Sequence, residues 1–237
     1  NRNIADNITT KAKLLEELES DIASYNGTYA NVTTKAMRSG GFAMTGTVTA
    51  KIVSGTTAVT VTVKRVVAKV EIQTSMTDSF RTKYGNGCVE VKKLTLSRGA
   101  EKSYLIDQTT SKYATVSSSF TSAQDAFCDK TGASKTNAYK YNNLFYLNEK
   151  AAAAAGSRVK VLIDAIYDAD GNLSTTADQM PVTYETELTG AADGKIARNG
   201  SYKVNAKLDG LTGQDVTLAV TVANWDALST QDVNLGQ

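Results

Sequence analysis

Residues 59–72, VTVTVKRVVAKVEI, constrain the fold more than any other part of the chain. Val59, Val61 and Val63 alternate with Thr60, Thr62 and Lys64, the period of a strand with one wet face. From Lys64-Arg65 onward the apolar set moves to even positions: Val66, Ala68, Val70 and Ile72. One residue of slip turns every side chain to the other face, so Val63, Lys64, Arg65 and Val66 are expected to form a bulge or sheet-crossing point. Val61 and Val63 then face one sheet, and Val66, Ala68 and Val70 pack on the core of another. Arg65 is expected to be exposed or partly paired, because no acid stands near it in sequence.

The same alternation recurs. Val48, Ala50 and Ile52 precede a Ser54-Gly55 turn and predict a hairpin with 59–63. Further strands are expected at 88–96, where alternation is imperfect, and at 104–106, 144–147, 159–167, 182–188, 202–208, 216–222 and 233–235. Turn signals at Asp170-Gly171-Asn172, 190–194, Asn199-Gly200 and Asp209-Gly210 separate the later ones. Thr and Val make up more than a fifth of the 237 residues and proline occurs once, at Pro181, a bias toward strands. A helix is expected only near the start, where Leu14, Leu15, Leu18 and Ile22 form a narrow stripe that Thr9 or Thr10 can cap. It should lie on a sheet surface. The Ser/Thr/Asp-rich stretch 107–137 predicts a boundary, giving domains at residues 1–112 and 113–237.

Composition removes several kinds of chemistry. The chain has no histidine, which excludes Ser-His-Asp and Cys-His machinery and histidine-ligated zinc. Two cysteines, Cys88 and Cys128, cannot build a four-cysteine site, and their spacing leaves open whether they pair. Twenty-six basic and 24 acidic residues are interspersed, without the footprint of a nucleic-acid binder. Asp164, Asp168 and Asp170 are the densest acidic group, but Asp168-Ala169-Asp170-Gly171-Asn172 reads as a hairpin turn. It resembles the start of a calcium loop, yet lacks the closing Glu and follows a strand. Trp225, ending the run 216–224, reads as a strand-end core residue in preference to a sugar platform. No catalytic residue, metal ligand or cofactor site is assigned.

Several segments carry a family resemblance. VKRVVAKVEI (63–72) resembles the R-x-x-A-K/R-apolar strand of fimbrillins, the Bacteroidales type V pilus subunits, and FAMTG (42–46) the short signature upstream of it. FYLNE (145–149) resembles the YxxEN strand with Asn and Glu exchanged; IARNGSYKV (196–204) is similar to the I-x-R-N-x-x-Y strand, and VTVANW (220–225) to the closing V-x-V-x-x-W. The resemblance implies an all-β protein with one short N-terminal helix and two transthyretin-like β-sandwich domains in tandem. It implies a non-enzymatic subunit of a cell-surface fimbria, outer-membrane-associated before assembly through a lipid anchor on the precursor, and proteolytic removal of an N-terminal segment. Polymerisation with other fimbrial subunits would proceed by donor-strand exchange and support adhesion and biofilm formation, with host or bacterial surface ligands as further partners. Leu228, Val233 and Leu235 are the donor-strand candidates: Val233 and Leu235 share a face, and twelve extended residues reach about 40 Å. Family members carry strands ahead of the helix, so the first strands of the N-terminal domain are expected to be missing here. The rival readings are a fimbrial tip adhesin or glycan-binding surface lipoprotein on the same fold, and a hydrolase working through two facing carboxylates.

Overall fold

The phase change at residues 64–66 is where the chain passes between sheets. In the computed structural model the elements run α1 (Lys11–Glu16), β1 (Leu18–Glu19), α2 (Ile22–Tyr25), α3 (Val32–Ala36), β2 (Met44–Thr45), β3 (Thr57–Arg65), β4 (Val67–Met76), α4 (Asp78–Tyr84) and β5 (Cys88–Ala100). They continue with β6 (Ser103–Tyr104), β7 (Val116–Ser122), β8 (Cys128–Asp129), β9 (Asn143–Asn148), β10 (Lys160–Asp168), β11 (Gln179–Glu187), β12 (Gly200–Leu208), β13 (Val216–Asn224) and β14 (Ser229–Leu235). The structure describes residues 8–30, 32–51, 53, 57–108, 116–122, 128–129, 143–189, 193–211, 216–225 and 229–235.

β3 belongs to a three-stranded sheet ordered β14-β3-β2, and β4 to a four-stranded sheet ordered β13-β12-β4-β9. The single bent residue between them, Val66, is fully buried and donates its N–H to the Ala43 carbonyl at 3.0 Å. Val59 is buried and Val61 and Val63 half-buried before the break; Ala68, Val70 and Ile72 are fully buried after it.

The four-stranded sheet packs against a five-stranded one, β11-β10-β5-β7 with β8 also on β5, to make an all-β sandwich. The core between them draws Ala68, Val70 and Ile72 from β4, Val89, Val91, Leu94 and Leu96 from β5, Phe145 and Leu147 from β9, Ile163 from β10 and Val204 and Ala206 from β12. The Val, Leu, Ile and Phe side chains among them each contribute about 1.5–3 kcal/mol on burial. The imperfect alternation of 88–96 has a cause: Asp164 of β10 faces Lys93 and Ala165 faces Val91, so Lys92 is bulged out, and the buried set shifts from Val89 and Val91 to Leu94 and Leu96.

This core corrects the expected division at residues 112 and 113. Strands from both sides of that position alternate within each sheet, β4 between β12 and β9, β5 between β10 and β7. The polar stretch therefore connects strands of one sandwich, and the expected tandem pair of sandwiches is not what the described residues build. Beyond the sandwich they form the three-stranded sheet, the β1–β6 pair and the short helices.

The N-terminal helix is also shorter than its leucine stripe. Thr10 caps it, Oγ1 accepting from the Lys13 N–H at 3.2 Å. It ends at Glu16 because Leu18 and Glu19 pair with Tyr104 and Ser103, and the Leu105 N–H donates to the Glu17 carbonyl at 2.8 Å. The sheet surface is covered instead by α2 and α3. Ile22 and Tyr25 pack there with Val67, Leu144, Tyr146 and Trp225, so β9 is buried on both faces. A further helix, α4, begins at Thr77, whose hydroxyl accepts from the Phe80 N–H at 3.1 Å, and stops at Gly85, where φ is 58°. Among the described residues no helix is long and apolar enough to cross a membrane.

Candidate functional site

The sequence segments that carry the family resemblance converge at the crossing point. Asn199 takes the left-handed conformation, φ 56°, which asparagine tolerates better than most residues. Its N–H donates to the Val67 carbonyl at 3.0 Å and its own carbonyl accepts from the Trp225 N–H at 2.7 Å. Its Oδ1 accepts from the Arg65 backbone N–H at 3.4 Å and from the Arg65 guanidinium at 3.5 Å. Arg65 also donates to the Trp225 carbonyl at 2.9 Å and lies over the indole, 4.6 Å from the ring centre. Half-buried Arg65 is thus paired with a neutral amide and a carbonyl, and stacks on an aromatic face.

Trp225 is itself held. It meets Phe42 edge-on at 4.7 Å and stacks on Tyr146 at 5.6 Å. It is 7% exposed, which places it in the core as expected and removes it from any sugar platform. Arg38 rests on Phe42, Tyr146 and Tyr25 at 3.5, 4.4 and 4.8 Å. Lys35, buried, lies 5.3 Å from the Phe145 ring and 6.0 Å from that of Tyr146. Burial and the neighbouring Arg38 bring its ammonium down to about 8.

Beyond Trp225 the chain returns as β14, antiparallel to β3, with Ser229 opposite Val63, Val233 opposite Val59 and Leu235 opposite Thr57. Leu228 lies outside the described residues. β14 is an edge strand and pairs with β3 alone among the described strands. The other edge of β3 is covered by β2 only at Lys64 and Arg65. Among the described residues the hairpin expected there does not form: residues 46–51 and 53 make no strand, and Val48 and Val53 are 51% and 56% exposed. Ile52 and Ser54-Gly55 lie outside the described residues. Gly46 passes so close to β3 that a Cβ on it would sit 2.0 Å from the Thr62 carbonyl oxygen, after which the chain diverges.

Two of these family segments also meet in an ion pair that the sequence alone does not reveal. Arg198, 6% exposed, donates through both Nε, at 3.0 Å, and NH2 to the carboxylate of Glu149, 13% exposed. NH2 also donates to the Tyr104 carbonyl at 2.9 Å, and Glu149 accepts from Ser103 Oγ at 3.1 Å. The pair fastens the β5–β6 turn to the sandwich. Its residues stood in two motifs, but nothing in their spacing showed that the motifs touch.

The acidic residues divide. Asp164 sits on the sheet surface, 4.0 Å from Lys93 Nζ, accepting from Thr183 Oγ1 at 3.2 Å. Asp168 and Asp170 gather with Asp178 in the β10–β11 hairpin, but Asp168 is fully buried and out of a substrate's reach. The facing pair in a cleft that a hydrolase needs is not what these acids provide. Cys88 is disulfide-bonded, and the chain has one other cysteine, Cys128.

No protein-family model and no curated protein matches the chain. Among solved structures it is similar to a proposed cell-adhesion protein from Bacteroides eggerthii DSM 20697: 15% identity, 93% of this chain and 73% of that one covered, TM-score 0.56. A proposed cell-adhesion protein from Parabacteroides distasonis ATCC 8503 is 16% identical over 69% of this chain and 53% of its own, TM-score 0.49. A fimbrilin from Porphyromonas gingivalis W83 is 15% identical over 70% and 60%, TM-score 0.43. The chain thus spans about half to three-quarters of these structures' lengths. The first likeness establishes a shared fold.

Proposed function

We propose that this chain is a fimbrillin: a non-enzymatic structural subunit of a cell-surface fimbria, associated with the outer membrane before assembly, that polymerises with other fimbrial subunits by donor-strand exchange. Adhesion and biofilm formation would follow from the polymer. The observation that carries the reading is the β14–β3 ladder. β14 leaves the sandwich at a fastened residue, Trp225, and pairs with a single strand on the edge of a small sheet. A strand that pairs, among the described strands, along one edge can form the same register with the β3 of a neighbouring copy, its main chain supplying ladder bonds and alternate side chains filling pockets. Leu228, Val233 and Leu235 are the side chains assigned to that task. The motif agreement with fimbrillins and the fold shared with the Bacteroides eggerthii protein support the same reading.

The test is removal of residues 227–237, and separately Val233→Glu with Leu235→Glu. Both variants should remain folded and soluble yet fail to form rods in electron micrographs under conditions in which the full chain does. Fimbriae of normal length from the truncated chain would overturn the donor role of this segment. A full chain that stays monomeric and binds immobilised glycans would favour the tip-adhesin reading.

A further inference from the structure

The β10–β11 hairpin gathers three carboxylates, one of which its turn does not account for. Asp168, Asp170 and Asp178 each bring one oxygen within 4.8 Å of the other two. Two of the three serve the loop: Asp170 Oδ1 accepts from the Asn172 N–H at 2.7 Å, and Asp178 Oδ2 from the Asp170 N–H at 3.0 Å. Asp168 is different. It ends β10 at 0% exposure; Oδ2 accepts from Gln179 Nε2 at 3.1 Å, and Oδ1 is buried with no hydrogen-bond partner. None of the ion pairs among the described residues involves any of the three.

A buried carboxylate oxygen without a donor, beside two more carboxylates, is costly unless a cation neutralises it. The donor set is all oxygen, which selects a hard cation over zinc or copper. A hairpin loop offering carboxylates and carbonyls suits calcium, which takes six to eight oxygen ligands in flexible geometry, better than magnesium, which demands near-ideal octahedral geometry and keeps several of its waters. We propose that Asp168, Asp170 and Asp178 form a calcium-binding site, completed by backbone carbonyls and water. The ion would brace one end of the sandwich. Asp168 stands opposite disulfide-bonded Cys88 in the β10–β5 ladder, and Gly171, at φ 73°, lies so close to the α4–β5 connection that a Cβ would meet the Asn86 carbonyl oxygen at 2.5 Å. Asp168 and Asp170 open the segment that resembles a calcium loop in sequence; Asp178, eight residues beyond Asp170, takes the part that an EF-hand gives to its closing Glu.

The experiment is thermal unfolding and titration calorimetry of the full chain, stripped with EGTA and then given CaCl2 or, in parallel, MgCl2. With the affinity of about 10⁻⁴–10⁻³ M usual for extracellular calcium modules, 2 mM CaCl2 should raise Tm by about 2–6 °C. Asp170→Asn and Asp178→Asn lie toward solvent. Each should unfold like the unsubstituted chain in EGTA and bind calcium at least tenfold more weakly. The proposal is overturned if calcium produces neither heat nor a Tm shift, if both variants keep the full response, or if magnesium acts equally well at the same concentration.

Discussion

Replacing Glu149 by Gln tests whether the Arg198 contact holds the sandwich together or merely decorates it. The substitution preserves shape and one acceptor but removes the charge opposite a guanidinium that is 6% exposed. Removing one partner of a buried pair costs about 3–5 kcal/mol, because the remaining charge stays desolvated. Asp107, whose carboxylate lies 3.9 Å from Arg198 Nε but is 62% exposed, offers partial compensation, so the lower end, about 3 kcal/mol, is expected. For a chain of this size that corresponds to a fall in Tm of about 6–12 °C. Urea unfolding read by the single tryptophan, Trp225, is a suitable assay, since the indole is packed against Phe42 and Tyr146. The double variant Glu149→Leu with Arg198→Met removes both charges and should be less destabilised than the sum of its two single replacements by about 2 kcal/mol or more. A loss below about 1 kcal/mol in Glu149→Gln, or strict additivity in the double variant, would refute the reasoning.

Two further outcomes follow from buried chemistry. Because Lys35 is brought down to about 8 from an ordinary 10.5, the unfolded chain binds the extra proton between those values, so stability should rise by about 1–2 kcal/mol from pH 8 to pH 9.5. Above pH 10 it should fall, because Tyr25, Tyr146 and Tyr202, pushed up by burial, stay protonated in the fold while the unfolded chain ionises. Urea midpoints across pH 7–11 measure this; a profile that declines from pH 8, or one that Lys35→Met leaves unchanged, contradicts it. Reducing the Cys88 disulfide, which by composition closes a loop of 40 residues, should cost about 4 kcal/mol, and a Tm insensitive to dithiothreitol would contradict that.

What could be read from the sequence was whatever the period of two encodes locally. The slip at Lys64-Arg65 pointed to a passage between sheets, because one face of each strand is buried and a slip cannot be hidden, whereas over 88–96 the imperfect alternation was visible without its cause, the bulge at Lys92. Thr9-Thr10 marked the start of a helix for a similarly local reason, and it is the Thr10 hydroxyl that reaches Lys13. The end of that helix depended on Ser103 and Tyr104, more than eighty residues away, so a leucine stripe running on to Ile22 overstated it. Likewise, polarity around residues 107–137 is a property of surface connections, and a connection within a sandwich is as polar as one between domains. The site was legible as residues and not as contacts. Arg65, Asn199 and Trp225 could each be picked out from a motif, yet that they bond to one another depends on β12 lying parallel beside β4, which no local pattern announces. Asp178 was missed because its neighbours carry no turn signature; only the antiparallel return of β11 brings it to Asp170.

On the donor-strand reading, the closed monomer sets a condition on assembly. β14 is joined to Trp225 through residues 226–228, a tether of about 10 Å at full extension. A short tether holds β14 near its own β3 at an effective concentration on the order of millimolar, whereas a neighbouring β3 is present only at the subunit concentration. At about 1 μM subunit the difference is a factor of about a thousand, or about 4 kcal/mol in favour of self-pairing. Exchange that merely repeats the seven-residue register restores the same ladder and does not offset this. The surplus must come from contacts absent in the monomer. Among the described residues β2 pairs with β3 only at Lys64 and Arg65, and the rest of that edge is a surface where an incoming strand can find them. A subunit built this way stays closed while dilute and opens only where that second edge is engaged, which confines polymerisation to the place where subunits are brought together.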